Sequence, residues 1–267
     1  MRFGTLCEVI SAVHLSRFVN GPFAQRGGLF LVKPAGHLGT SAIEIIENFE
    51  RVLVISDLTV KSITAMREDI LGGNIITLAF SDYEKIYKRH ASVSSNIEGI
   101  IMSLAEEGFR NPAFSDQRVQ ATPARCAIIG AMTTKFYERM NESWLDNGFA
   151  RRFLWARYTI DDARVIEDAI SQWRKAELDG DFVLRMPSNN SIPYNLSTSE
   201  IARIRHSLRF QRDRRTPFIL AQRVVSVLKW KFDKSEPGKG MNLWNDFAES
   251  LSKDGATLFV KEDRKSQ

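Results

Sequence analysis

Long apolar runs are missing from this chain. None reaches the roughly eighteen residues a bilayer-crossing helix needs, so no membrane span is expected among the 267 residues and no membrane partner follows. Cysteine is scarce: Cys7 and Cys126 stand far apart, which excludes a disulfide scaffold and favours a reducing, cytoplasmic setting. His14, His37, His90 and His206 are scattered and neither cysteine has a near partner, which argues against a zinc site. No G-x-S-x-G elbow is present for a Ser-His-Asp hydrolase. G-x-G-x-x-G is absent after the first strand, which argues against a nicotinamide dehydrogenase while leaving the α/β fold open. Residues 1–20 carry an amphipathic pattern without a compact apolar core and small-residue cleavage site, so no secretion signal is expected. Internal repeats and low-complexity segments are also lacking.

Apolar residues make up 43% and charged residues 26%, ordinary for a globular protein, and the length suits one medium α/β domain with a smaller attachment. The net charge of +5 is unevenly spread. Between Glu200 and Gly240 eleven Lys and Arg face four Asp and Glu, so the excess sits in the last quarter of the chain. Such a cluster attracts phosphate backbones, or forms a solvated helix face.

The organising stretch is GLFLVKPAGHLGTSAIEII, Gly28 to Ile46. Leu29 to Val32 reads as a strand buried on both faces. Lys33-Pro34-Ala35-Gly36-His37-Leu38-Gly39 cannot continue it, because Pro34 lacks a donor and both glycines allow positive φ. Thr40 and Ser41 can cap a helix that buries Ala42, Ile43, Ile45 and Ile46. A loop folding back onto a helix N-terminus directs several backbone N–H groups at one point, where a phosphate would sit.

Short apolar strands then alternate with helices. Strands are expected at 51–55, 75–80, 125–131 and 153–158, with helices at 61–71, 83–89, 97–107 and 136–145. The alternation predicts a mostly parallel five-stranded sheet covered on both faces, in three layers. Residues 1–20 are expected to pack as a helix on the edge of this core. The run 186–193, MPSNNSIP, divides a core at 1–187 from a basic helical segment at 188–267. In that segment Ser197 and Glu200 offer a capping box for a helix with Arg203, Arg205, Arg209 and Arg212 on one side and Ile201, Ile204, Leu208 and Phe210 available for packing.

The loop resembles the Walker A loop of P-loop ATPases, and the order of elements from about Gly28 to Thr159 is similar to the AAA+ and RecA-like cores of phage and mobile-element replication genes. Laid against G-P-P-G-x-G-K-T, the residues Pro34, Ala35, Gly36 and Thr40 agree or nearly agree, while Lys33 stands at the first glycine and Gly39 at the lysine. Shifted by one, Gly39 takes the second glycine, Thr40 the lysine and Ser41 the last place. Neither register keeps the lysine that neutralises the β and γ phosphates.

The resemblance implies ATP on Lys33 to Ser41, with Mg²⁺ held by Asp82 and Thr40 and with Glu84 polarising the attacking water; Asp57 is the alternative carboxylate, and helix capping is the plainer role for either aspartate. It places Thr133 or Thr134 beside the γ-phosphate, unless they only start a helix. It makes Arg151 or Arg152 an arginine finger for a neighbouring subunit, unless they form a salt bridge at the sheet edge. Arg223 would be a lid arginine, and Val19 to Gln25 would cover adenine or serve as structural cover. Two functions follow. One is a nucleotide-binding ATPase with weak or absent hydrolysis, acting on DNA as a homo-oligomer or with a helicase partner in replication or processing. The other is a non-enzymatic DNA- or protein-binding module on a degenerate ATPase fold, using Arg203, Arg205, Arg209 and Arg212.

Overall fold

The computed structural model describes residues 1–21, 27–37, 42–43, 45–47, 49–88, 91–109, 123–160, 171, 184, 186–211 and 215–257. Leu38, Gly39, Thr40, Ser41 and Arg212 lie outside them.

The chain opens with α1 (Phe3–Leu15), then β1 (Val19–Asn20) and β2 (Gly28–Lys33). After the loop come β3 (Val52–Ile55), α2 (Val60–Gly72), β4 (Thr77–Phe80), a 3-10 turn at Tyr83–Lys88 and α3 (Ala91–Ala105). Next are β5 (Ala127–Thr133), α4 (Thr134–Asp146), a 3-10 turn at Ala150–Arg152 and β6 (Phe153–Thr159). The remainder is β7 (Ile192–Pro193), α5 (Thr198–Ser207), α6 (Arg215–Phe232), α7 (Lys239–Ala248) and β8 (Ala256–Thr257).

The main sheet has the order β3-β4-β5-β2-β6-β8, and every ladder in it is parallel. It therefore has six strands rather than five, because Ala256–Thr257 adds to β6 opposite Tyr158 and Thr159. The order also differs from the 3-2-1-4-5-6 dinucleotide fold, since β4 and β5 stand between β3 and β2.

Alternation along the strands sends side chains to two faces. Leu29, Leu31, Ile129, Ala131, Leu154 and Ala156 point to a face covered by α1, the segment at 42–49, α6 and α7. Phe30, Val32, Ile128, Phe80, Phe153 and Trp155 point to a face covered by α2, α3 and α4. Aromatic contact dominates the second face: Phe30 stacks on Trp155 at 5.1 Å, and Trp155 on Trp144 at 5.4 Å. Within it Glu98, 5% exposed, accepts from Trp144 Nε1 at 2.8 Å, from Asn147 Nδ2 at 2.7 Å and from the Tyr87 hydroxyl, so its desolvation is met by donors.

Helix boundaries follow their caps. Thr59 and Ser62 form a capping box on α2, and Gly73 closes that helix with φ +80°. Ser197 and Glu200 form the expected box on α5.

Two expectations change here. The first helix is not an edge cover: eleven of its thirteen residues are buried, and it lies between the sheet and α6 and α7. Nor do residues 188–267 stand apart as a lid. Leu220, Val224, Leu228, Trp244 and Phe247 belong to the same apolar cluster as α1 and the sheet, β7 pairs with β1, and β8 extends the main sheet.

Candidate functional site: the cleft at the carboxyl ends of β2, β4 and β5

Strand β2 ends at Lys33, Pro34 begins a turn in which the His37 N–H donates to the Pro34 carbonyl at 3.2 Å, and Gly36 takes φ +80°. The chain then continues onto the face of α1, where Ala42, Ile43 and Ile46 are fully buried. Its neighbour β5 instead sends α4 to the opposite face, where Phe136 and Trp144 are buried. Adjacent parallel strands whose continuations part to opposite faces leave a crevice beyond their carboxyl ends, the usual place for ligands in an open α/β sheet.

A cleft of about 280 Å³ occupies that place, lined by Lys33, Gly36, Asp82, Glu84, Lys85 and Thr133 among others. The strand order explains the gathering. Because β4, β5 and β2 are consecutive, the residues that follow each of them meet although they are distant in sequence. Lys33 lies opposite Thr133 in the register. Glu84 accepts from the Thr133 N–H at 2.7 Å, which holds one carboxylate oxygen at the end of β5. Asp82 lies 3.8 Å from the Lys85 ammonium, a half-exposed pair of small energetic weight. Burial lowers the pKa of Lys33, and the negative charges of Glu84 and Asp82 oppose that shift. Two ammonium groups and two carboxylates thus share the cleft.

The other expected residues fall into distinct places. Pro34 and Thr134 line a larger neighbouring cleft of about 580 Å³, together with Tyr137, Trp155 and Arg157. Ala35 lines the smaller cleft. The Thr133 hydroxyl caps α4 by accepting from the Phe136 N–H at 3.2 Å. His37 accepts the Ile160 N–H at Nδ1 over 2.9 Å, tying the loop to the end of β6. Asp57 accepts from the Leu58 N–H at 2.8 Å and is absent from the cleft wall among the described residues.

Arg151 and Arg152 stand at the opposite edge of the sheet. Phe153, which follows them, is opposite Gly28 at the start of β2, so the strand's length of about 17 Å separates them from Lys33. Arg152 is an internal strut, with Nε 2.7 Å from Glu106 and a donated bond to the Gly148 carbonyl at 2.8 Å, whereas Arg151 is exposed. Neither reaches the cleft of its own chain. Arg223 is also elsewhere: 5% exposed, it donates to the carbonyls of Ser16 at 2.9 Å and Val19 at 2.8 Å, fixing the turn from α1 to β1. That correction removes it as a lid arginine over the cleft, because its guanidinium is spent on backbone. Arg203, Arg205 and Arg209 are exposed on and just past α5, with Arg205 over Phe218 at 5.2 Å and Arg209 over Phe210 at 4.7 Å.

Sequence reasoning missed Lys85, although it follows Glu84 directly, and missed the His37 bond, whose partner lies 123 residues away. It also assigned Phe210 to packing, whereas the ring is 50% exposed.

These features define a parallel α/β protein with a charged crevice at a switch point of its sheet. A scan against protein-family models gives no match, and a search of curated proteins gives none.

Proposed function

We propose that the cleft binds the phosphates of a nucleoside triphosphate, ATP in the reading drawn from the AAA+ and RecA-like resemblance, and that hydrolysis is weak or absent. The observation that carries this is the meeting of Lys33, Gly36, Asp82, Glu84 and Thr133 in one crevice. The donor set fits a magnesium phosphate: carboxylates suit the cation, which commonly takes only one or two from the protein, and Lys33 and Lys85 offset phosphate charge. Bound Mg²⁺ would supply charge neutralisation at the phosphoryl oxygens. Lys33 stands in for the lysine that Gly39 replaces, approaching from the end of the strand instead of the start of the helix. Glu84 is the residue to orient water, with Asp82 towards the metal; Thr40 and Ser41, which the resemblance adds to this set, lie outside the described residues.

Arg151, exposed at the far edge, is suited to a neighbour's site in a homo-oligomer and not to its own. The exposed arginines of α5 suit DNA, in keeping with a role in replication or processing beside a helicase.

A second reading is a non-enzymatic DNA- or protein-binding module. What favours it is the bond from the Thr133 N–H to Glu84, which ties one oxygen of the carboxylate to the backbone.

Titration of the purified protein with a fluorescent ATP analogue, with and without Mg²⁺, separates the two. Magnesium-dependent binding that Lys33→Ala weakens by about tenfold or more is expected, since a charge-assisted contact contributes about 1.5–3 kcal/mol. Gly39→Lys should then raise phosphate release. Absence of binding supports the module, and turnover at ordinary ATPase rates by the unaltered chain contradicts weak hydrolysis.

A further inference from the structure

The exposed aromatic ring at the end of the basic helix points to the form of nucleic acid this protein takes. Ile204 on α5 and Leu208 just past its end are fully buried and anchor the helix to the core. Phe210, two residues past Leu208, is half exposed, the more exposed of the two large apolar side chains that stand out at the surface among the described residues. About half of this residue's surface thus stays in water, apolar area that packing within the chain does not cover. The Arg209 guanidinium lies 4.7 Å from its centroid, and Arg209 also contacts His206. Arg205 and Arg203 follow back along the helix, both exposed. Phe210 lines two surface grooves, one of about 580 Å³ that Arg157 and Lys253 also line and one of about 620 Å³ that His206 and Arg209 also line.

We propose that Phe210 is a stacking platform for an unpaired base, with Arg205 and Arg209 holding the flanking phosphates, so that the nucleic acid bound here is single-stranded. This rests on the reading of α5 as a nucleic-acid face and is independent of nucleotide binding in the cleft. Bases in a duplex are stacked on each other and offer no face to a protruding ring, whereas an unpaired base does, and stacking between aromatic side chain and base tolerates any sequence. Arginines spaced along the approach contribute the salt-dependent part. The grooves on either side leave room for the backbone to enter and leave.

Fluorescence anisotropy on the full chain with labelled oligothymidine and with a duplex of equal length tests this. The single strand should bind more tightly than the duplex. Phe210→Ala should weaken single-strand binding by about tenfold, from the roughly 1–3 kcal/mol of one stacked base, without changing its salt slope. Phe210→Trp should keep the affinity, and its indole emission should be quenched on binding. Arg205→Ala with Arg209→Ala should instead reduce the salt slope by about two. Duplex preference, or unchanged single-strand affinity in Phe210→Ala while the double arginine variant still weakens binding, overturns the platform and leaves the basic face standing. If neither set of changes affects binding, the nucleic-acid face fails with it. ATP-analogue binding should be the same in every variant, so a failure in the cleft is read separately.

Discussion

His14 sits at the end of α1 with no exposed surface, its Nδ1 2.9 Å from the Thr77 hydroxyl and its Nε2 without a hydrogen-bond partner among the described residues. Burial, and then the charge of Arg51, push its pKa down to about 3. In the unfolded chain the value returns to about 6.5, so below that pH the unfolded state takes up a proton that the folded state refuses. The sign follows: the group's contribution is complete above about pH 6.5 and is lost as pH falls towards about 3. Between about pH 7 and about pH 5 the native chain should lose about 2 kcal/mol more stability than His14→Gln, which can still bond Thr77 but does not titrate. Urea midpoints at several pH values check this, and parallel acid limbs for the two proteins would show that His14 is charged in the fold. Thr77 and His14 are distant in the chain, so no local pattern revealed the pairing. Lys33, Asp82, Glu84 and Thr133 were legible for the opposite reason: each follows an apolar run closely enough that finding the strand finds the residue.

At the level of elements, the five long core strands were readable because buried parallel strands are continuous apolar runs, and their ends shifted by only a residue or two. The ladder of Val19–Asn20 with Ile192–Pro193 was not, since a two-residue strand has no period and its partner is far along the chain. The place of Ala256–Thr257 beside β6 was hidden for the same reason. Glycine decides how closely β2 can approach its neighbours. A Cβ on Gly28 would lie 2.4 Å from the Ile128 carbonyl oxygen and 2.8 Å from Phe153 Cδ1, so the contact is with backbone and cannot relax by a rotamer change. A Cβ on Gly130 would meet the Phe30 ring at 2.4 Å, and that ring is wedged against Trp155 and Phe153. Gly28→Ala should therefore destabilise by about 3 kcal/mol and Gly130→Ala by somewhat less, both measurable as shifts in thermal or urea midpoint. A Gly28→Ala change below about 0.5 kcal/mol would mean that β2 and β5 separate without penalty.

Over the whole molecule, what sequence reading divided the structure joins. The stretch 186–193 has the polar, proline-bounded composition of a linker, and the basic excess after it suggested an appendage. Yet α6 is buried on nearly all sides, from Ile219 through Leu228 without a break, and a helix of that kind belongs inside a protein. Its place is against α1, which is itself buried almost all round and is covered by α6 and α7 on the side away from the sheet. Arg223 adds bonds from α6 to the carbonyls that end the α1 segment. A chain ending at residue 187 would uncover α1 and one face of β6. Burying each large apolar side chain contributes about 1.5–3 kcal/mol, so losing those of α6 together with Trp244 and Phe247 exceeds the about 5–15 kcal/mol by which a domain is stable. Such a chain should show no cooperative melting and should bind an apolar dye, and adding residues 188–267 as a separate polypeptide should restore a transition. If residues 1–187 alone melted cooperatively and kept their affinity for the ATP analogue, the C-terminal helices would be an attached lid after all, and the shared core would be a contact between two independent units.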